Sequence, residues 1–159
     1  MSVQQAHPAE SDLVERALVA RSRAEIANVQ YQRALKRVRE AGDRAPSQSA
    51  IARKLHISQP ALSKALKAAA VVEDVPEGFS GASPREICQL YAIGELDREQ
   101  LVDELSRWAY PAPVSSNNAW DDLSVALPGS WDDVDQAAED GLIDYELLDE
   151  VLDALPEDD

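Results

Sequence analysis

Gln59, Ser63, Lys64 and Lys67 are the residues of this chain whose types and spacing suit a definite chemistry. An amide and a hydroxyl can exchange hydrogen bonds with base edges, and ammonium groups can neutralise phosphates, so the set suits contact with double-stranded DNA. Gln59 is able to pair bidentately with adenine. Arg53 and Lys54 lie just upstream and add two cations for phosphate contact. Gln48 and Ser49 begin one predicted helix, and Ser58, Pro60 and Ala61 begin the next, which completes the candidate DNA-binding set.

These residues are positioned by the stretch SQSAIARKLHISQPALSKALKA, residues 47–68, which reads as two short helices joined by a tight turn. Ser47 is placed to cap a helix whose Ala50, Ile51, Ala52 and Leu55 have helical apolar spacing. Ile57 breaks that rhythm. Ser58 then caps a second helix, and Pro60 falls in its first turn, where no amide donor is needed. Ala61, Leu62, Ala65 and Leu66 form the apolar stripe of that helix, predicted to be buried, and Gln59, Ser63, Lys64 and Lys67 take the opposite face. The turn position is His56, where a left-handed backbone is expected; histidine tolerates φ > 0 better than branched residues do.

The run HISQPALSKAL resembles the helix-turn-helix of bacterial transcriptional regulators, close to the SQPALS segment of LysR-type factors. The resemblance covers about 22 residues and implies DNA binding through a recognition helix in the major groove. Nothing after Ala70 looks like a LysR effector domain, and His56 stands where that family usually has glycine.

Charge is divided unevenly along the 159 residues, whose formal net charge is -15. Residues 1–70 hold 12 Lys+Arg against 6 Asp+Glu, whereas residues 71–159 hold 3 against 24. The halves therefore suit different partners, and the basic half contains the candidate recognition helix. Aromatic residues make up only 5%, which favours small helical units with aliphatic cores. The single Cys88 can form no internal disulfide, and no apolar run approaches bilayer length, so a cytoplasmic protein without membrane contact is expected.

Residues 1–10 read as a flexible tail, and a long helix is predicted from Ser11 to Ala41, stopped by Gly42. Leu13, Ala17, Ala20, Ala24, Ala27, Tyr31, Ala34, Val38 and Ala41 alternate at spacings of four and three, which is a heptad seam. Residues 13–38 of this seam are the candidate dimerisation surface of a homodimer; packing on helices of the same chain is the alternative. Arg33, Lys36, Arg37, Arg39 and Arg44 form a basic cluster that either touches phosphates or sits as a solvated helix end. Residues 11–70 are thus read as a DNA-binding domain and 71–82 as a linker with Pro76, Gly78 and Gly81.

The acidic half contains a repeat, with residues 83–108 matching 130–155 at an offset of 47. Ser83, Gln89, Gly94, Asp97, Glu99, Leu101 and Leu105 recur as Ser130, Gln136, Gly141, Asp144, Glu146, Leu148 and Leu152. Each copy makes sense as a helical hairpin: serine caps the first helix, glycine ends it, and aspartate caps the second. Two units this small are expected to stack into one domain, 83–155. GELDREQLVDEL in the first copy resembles a helix–Gly–helix segment of bacterial antitoxins of Fic proteins, without their inhibitory motif. The connector between the copies carries Trp120, Leu123, Val125 and Leu127, which suit docking, and residues 156–159 form an acidic tail.

No catalytic chemistry is expected. The only histidines are His7 and His56, so neither Cys88 nor a serine has an evident base. Asp121, Asp122, Asp132, Asp133 and Asp135 lack the glycine-centred spacing of a calcium loop. The sequence thus predicts an all-α protein: a long helix plus helix-turn-helix, followed by two small acidic hairpins, with no cofactor or metal. The leading expectation is a sequence-specific transcriptional regulator, a repressor, whose acidic half binds a protein partner, folds back as a DNA mimic or acts as a structural cap. A toxin as that partner would make the chain an antitoxin. An adaptor without DNA contact is the alternative from another class, and it requires Lys64 and Lys67 to be buried or paired.

Overall fold

The computed structural model describes residues 9–112 and 128–157. They form seven α-helices and a short 3-10 turn, with no strand among them. The long helix α1 runs Glu10–Ala41, one residue earlier than predicted, and gives way at Gly42, whose φ of +53° is the left-handed conformation expected of a terminating glycine. The remaining helices are α2 (Gln48–Leu55), α3 (Gln59–Ala69), α4 (Pro84–Ala92), α5 (Arg98–Arg107), α6 (Asp132–Glu139) and α7 (Tyr145–Ala154). No helix among the described residues is long and apolar enough to cross a membrane. The docking expected of Trp120, Leu123, Val125 and Leu127 falls outside the described residues.

Two compact units divide the chain: Ala24–Val75, and the residues up to Arg23 together with those from Pro76 onward. These bounds differ from a domain at 11–70, a linker at 71–82 and a second domain at 83–155. The physical reason is that residues 71–82 are two straps, each tied down within its own unit. Arg33 Nε donates to the Glu73 carbonyl at 3.0 Å, and Lys36 Nζ donates to the Val72 carbonyl at 2.9 Å and to the Asp74 carboxylate at 2.7 Å. The Lys36 ammonium holds the Asp74 carboxyl below the usual carboxylate range. Further on, Glu104 accepts hydrogen bonds from the Ser80 amide at 2.8 Å and the Ser80 hydroxyl at 2.6 Å.

In the unit Ala24–Val75, Leu35 of α1 joins Ala52, Leu62, Leu66 and Ala69 in a buried cluster, with Ile51, Ile57 and Ala65 packed against it. Leu55 and Ala61 are exposed, a correction to the predicted apolar faces. The core is narrow enough that Leu62 and Leu66 fill it from α3 without them, and both residues sit on the side turned to water. Arg39 Nη1 reaches the Leu66 carbonyl at 3.4 Å, next to the end of α3, where backbone acceptors lack helical partners.

The other unit is the expected pair of hairpins. α4 packs on α5 and α6 on α7 within each hairpin, while α4 on α6 and α5 on α7 join the two copies. The glycine stops are equivalent: Gly94 and Gly141 both have φ of +83°, and the Glu95 and Leu142 amides reach back to the Leu90 and Ala137 carbonyls, each at 2.9 Å. Asp97 and Asp144 cap α5 and α7, accepting the Gln100 amide at 2.8 Å and the Leu147 amide at 2.7 Å. Ser83 caps α4 through the Glu86 amide at 3.1 Å.

Ser130 does not cap α6, contrary to the repeat. Trp131 already has helical dihedrals, so the Asp133 amide turns to the Ser130 backbone carbonyl at 3.1 Å, and the Ser130 hydroxyl is buried without a partner. A first-turn carboxylate accepts the amide four residues before it in both copies: Glu86 that of Ala82 and Asp133 that of Gly129, each at 3.0 Å. Between copies, Arg98 grips Glu150 at 2.7 Å and Arg85 meets Asp140 at 2.9 Å, and each guanidinium holds its carboxyl below the usual range.

Candidate nucleic-acid interface

Four short-range features build the site. The Ser47 hydroxyl accepts the Ala50 amide at 3.2 Å and starts α2; the Ser58 hydroxyl accepts the Ala61 amide at 3.2 Å and starts α3. Between them His56 takes φ +55° and ψ +39°, and its amide closes onto the Arg53 carbonyl at 3.3 Å. Ile57 follows, its amide bonded to the Ala52 carbonyl at 3.1 Å and its side chain half-buried. The turn between α2 and α3 therefore occupies three residues, and the buried stripe Leu62, Leu66 and Ala69 fixes the rotation of α3 about its own axis.

That rotation determines what faces water. Gln59, Lys64 and Lys67 on α3 are exposed, and Ser63 is half-buried at the edge of the packed face. Gln48, Ser49, Arg53 and Lys54 on α2 are exposed, as are Ser58, Pro60 and Ala61 at the start of α3. Residues 47–70 contain four Lys or Arg side chains and no carboxylate, and none of the four is ion-paired among the described residues. The surface is thus a set of open cations around a helix start bearing an amide and a hydroxyl.

The basic cluster on α1 behaves otherwise. Arg33 is buried and, with Lys36, donates to the chain that follows α3, while the exposed Arg39 places one donor on the Leu66 carbonyl in the last turn of α3, so these side chains tie the unit together. Arg37 and Arg44 remain exposed. The signal that separates them is the presence of unsatisfied carbonyls at residues 66–73, which sequence alone does not place beside α1.

Most of the heptad seam is exposed. Leu13, Ala17, Ala20, Ala24, Ala27, Tyr31 and Ala34 are exposed, while Val38 and Ala41 are half-buried. Leu35, which borders the seam, is buried with α2 and α3, while Ser22, Ile26 and Arg33 are buried on the opposite side of α1. Among the described residues the seam is partly covered only toward its C-terminal end, at Val38 and Ala41.

Among the described residues no group of His, Cys, Asp or Glu has the arrangement of a metal site. Cys88 is buried, and desolvation pushes its thiol up to about 12, which suits a core residue and not a nucleophile. No family model, no curated protein and no solved structure matches the chain.

His56 is the one non-glycine residue with positive φ among the described residues. Its left-handed backbone carries a Cβ penalty that glycine lacks, partly offset by the larger conformational entropy glycine loses on folding. His56→Gly is expected to raise the stability of this unit by about 0.5–1 kcal/mol, and His56→Val to lower it by at least as much. Thermal unfolding followed by circular dichroism reads both signs.

Proposed function

We infer that this chain is a cytoplasmic, non-catalytic DNA-binding protein that recognises a duplex through the exposed face of α3 and acts as a transcriptional regulator, most simply a repressor. The observation that carries the reading is the open face of α3: Gln59, Lys64 and Lys67 face water at the start and along one side of a helix held rigidly by its other side. Gln59 and Ser63 meet base edges, while Lys64, Lys67, Arg53 and Lys54 contact phosphates and set the register without reading sequence. The open α1 seam supports a homodimer, which lets two copies of α3 address two half-sites. The adaptor alternative requires Lys64 and Lys67 to be buried or paired, and the exposure of both, without an ion pair among the described residues, favours the DNA reading over it.

Electrophoretic mobility shift of genomic fragments at several salt concentrations tests this. Lys67→Ala is expected to weaken binding to all sequences alike and to flatten the salt slope by about one unit per contacting chain. Gln59→Ala is expected to relax preference at one base pair while leaving the salt slope unchanged. Absence of duplex binding by the folded protein at low salt would falsify the reading.

A further inference from the structure

The two hairpins differ on one face. In the first, Leu101 and Leu105 of α5 are fully buried, whereas their counterparts on α7 are not: Leu148 is half-buried and Leu152 is 45% exposed. Tyr145, 63% exposed, lies three residues before Leu148 and seven before Leu152, so the three side chains form a single outward stripe. α7 carries no Lys or Arg. Glu150 is occupied by Arg98, and Glu146, Asp149 and Asp153 are exposed, so the open stripe has an acidic border.

A surface of small apolar residues with an arginine edge, and with Asp12 and Glu15 at its start, lies in the same unit. The first turns of α1 expose Leu13, 51% accessible, with Ala17 and Ala20. A shallow groove of about 440 Å³ runs beside them, lined by Asp12, Glu15, Arg16, Val19, Ala20 and Arg23. Arg16 and Arg23 stand one heptad apart along the edge of the seam, and Arg37 continues that edge two heptads on.

Charge decides which of these surfaces a second copy covers. Two α1 seams laid antiparallel set the two arginine edges against each other, and this pairing of like charges disfavours that arrangement; laid in parallel they offer Arg16 no carboxylate, since its counterpart is Arg21 of the second copy, already engaged within its own chain. α7 offers the reverse: large apolar side chains for a surface of alanines, and carboxylates for its arginine edge.

We propose that the chain forms a two-fold dimer in which the Tyr145–Leu148–Leu152 face of α7 docks on the Leu13–Ala20 seam of α1 from a second copy, with Asp149 and Asp153 toward Arg16 and Arg23. Two-fold symmetry makes the contact twice, which a face of only two helical turns requires in order to reach the area of a stable interface. The proposal rests on the dimeric form of the DNA-binding reading and names its interface.

Sedimentation velocity of the full chain across a wide concentration range tests it. A reversible monomer–dimer equilibrium is expected. Asp149→Lys with Asp153→Lys, and separately Arg16→Glu with Arg23→Glu, are each expected to weaken association by about tenfold or more. All four changes in one chain are expected to restore it, since the charges are then exchanged and not removed. Unchanged circular dichroism melting separates loss of contact from loss of fold, because all four residues are exposed. A monomer at every concentration overturns the proposal. So does a dimer that the α7 reversals leave intact and the α1 reversals tighten, the signature of seam on seam. Failure here is separable from failure of the DNA reading, which is measured by the effect of Lys67→Ala on duplex affinity.

Discussion

Leu62→Ala is expected to destabilise the unit Ala24–Val75 by about 3 kcal/mol and to abolish duplex binding with it. Leu62 is fully buried at the centre of a cluster whose other members include two alanines, so little neighbouring side chain is available to collapse into the void. At about 0.05–0.15 kcal/mol per residue, a unit of this size has only several kcal/mol in total, and the loss is a large share of it. Calorimetry and mobility shift together make the test specific. Leu62→Ala lowers the melting temperature and the DNA affinity together, whereas Lys67→Ala, on the exposed face, lowers affinity alone. Retention of full affinity by a Leu62→Ala protein whose α3 has melted would contradict the placement of recognition on that helix.

Glu104→Ala is expected to cost about 2–3 kcal/mol in the other unit, an unusual amount for an acidic residue in so acidic a region. The carboxylate is buried and takes both donors of Ser80, so its removal forfeits two charge-assisted hydrogen bonds that tie the exposed strap to α5. The strap it anchors also brings Phe79 edge-on to Trp108, with ring centres 5.0 Å apart, and places Phe79 under the Arg107 guanidinium at 4.8 Å. Loss of the anchor is therefore expected to raise amide exchange across residues 76–82 and to shift tryptophan emission. Glu104→Gln, which keeps one acceptor oxygen, is expected to lose less than half as much. Equal stability of Glu104→Ala and the native chain would show that the strap is held by its ring contacts alone.

Local chemistry was legible before the fold was seen. Ser47, Ser58, Ser83, Asp97 and Asp144 cap the helices their positions predicted, and Gly42, Gly94 and Gly141 take the left-handed conformation expected at helix ends. Such signals need only a few neighbouring residues. The left-handed His56 was legible for the same reason.

What failed depends on contacts far along the chain. Ala61 and Leu55 have helical apolar spacing, yet α2 and α3 rotate so that Ala52, Leu62 and Leu66 exhaust the available core. Arg33, Lys36 and Arg39 read as phosphate contacts or a solvated helix end because the carbonyls they bind lie 27 to 40 residues away. Leu101 and Leu105 recur as Leu148 and Leu152, but α7 also offers Leu147 and Val151, and the second hairpin buries that pair instead. A doubled leucine leaves the helix face undetermined by periodicity alone. The open α7 stripe was therefore invisible in the repeat that encodes it.

A reader of base sequence and a merely cationic surface differ in what they select. Selection of bound duplexes from a random pool, run side by side with the native chain and with Gln59→Ala, measures this directly. Enrichment of one motif by the native chain, with preference lost at a single position in each half-site for Gln59→Ala, is the predicted result. Recovery of unenriched sequence by the native chain, despite salt-dependent binding, would contradict it.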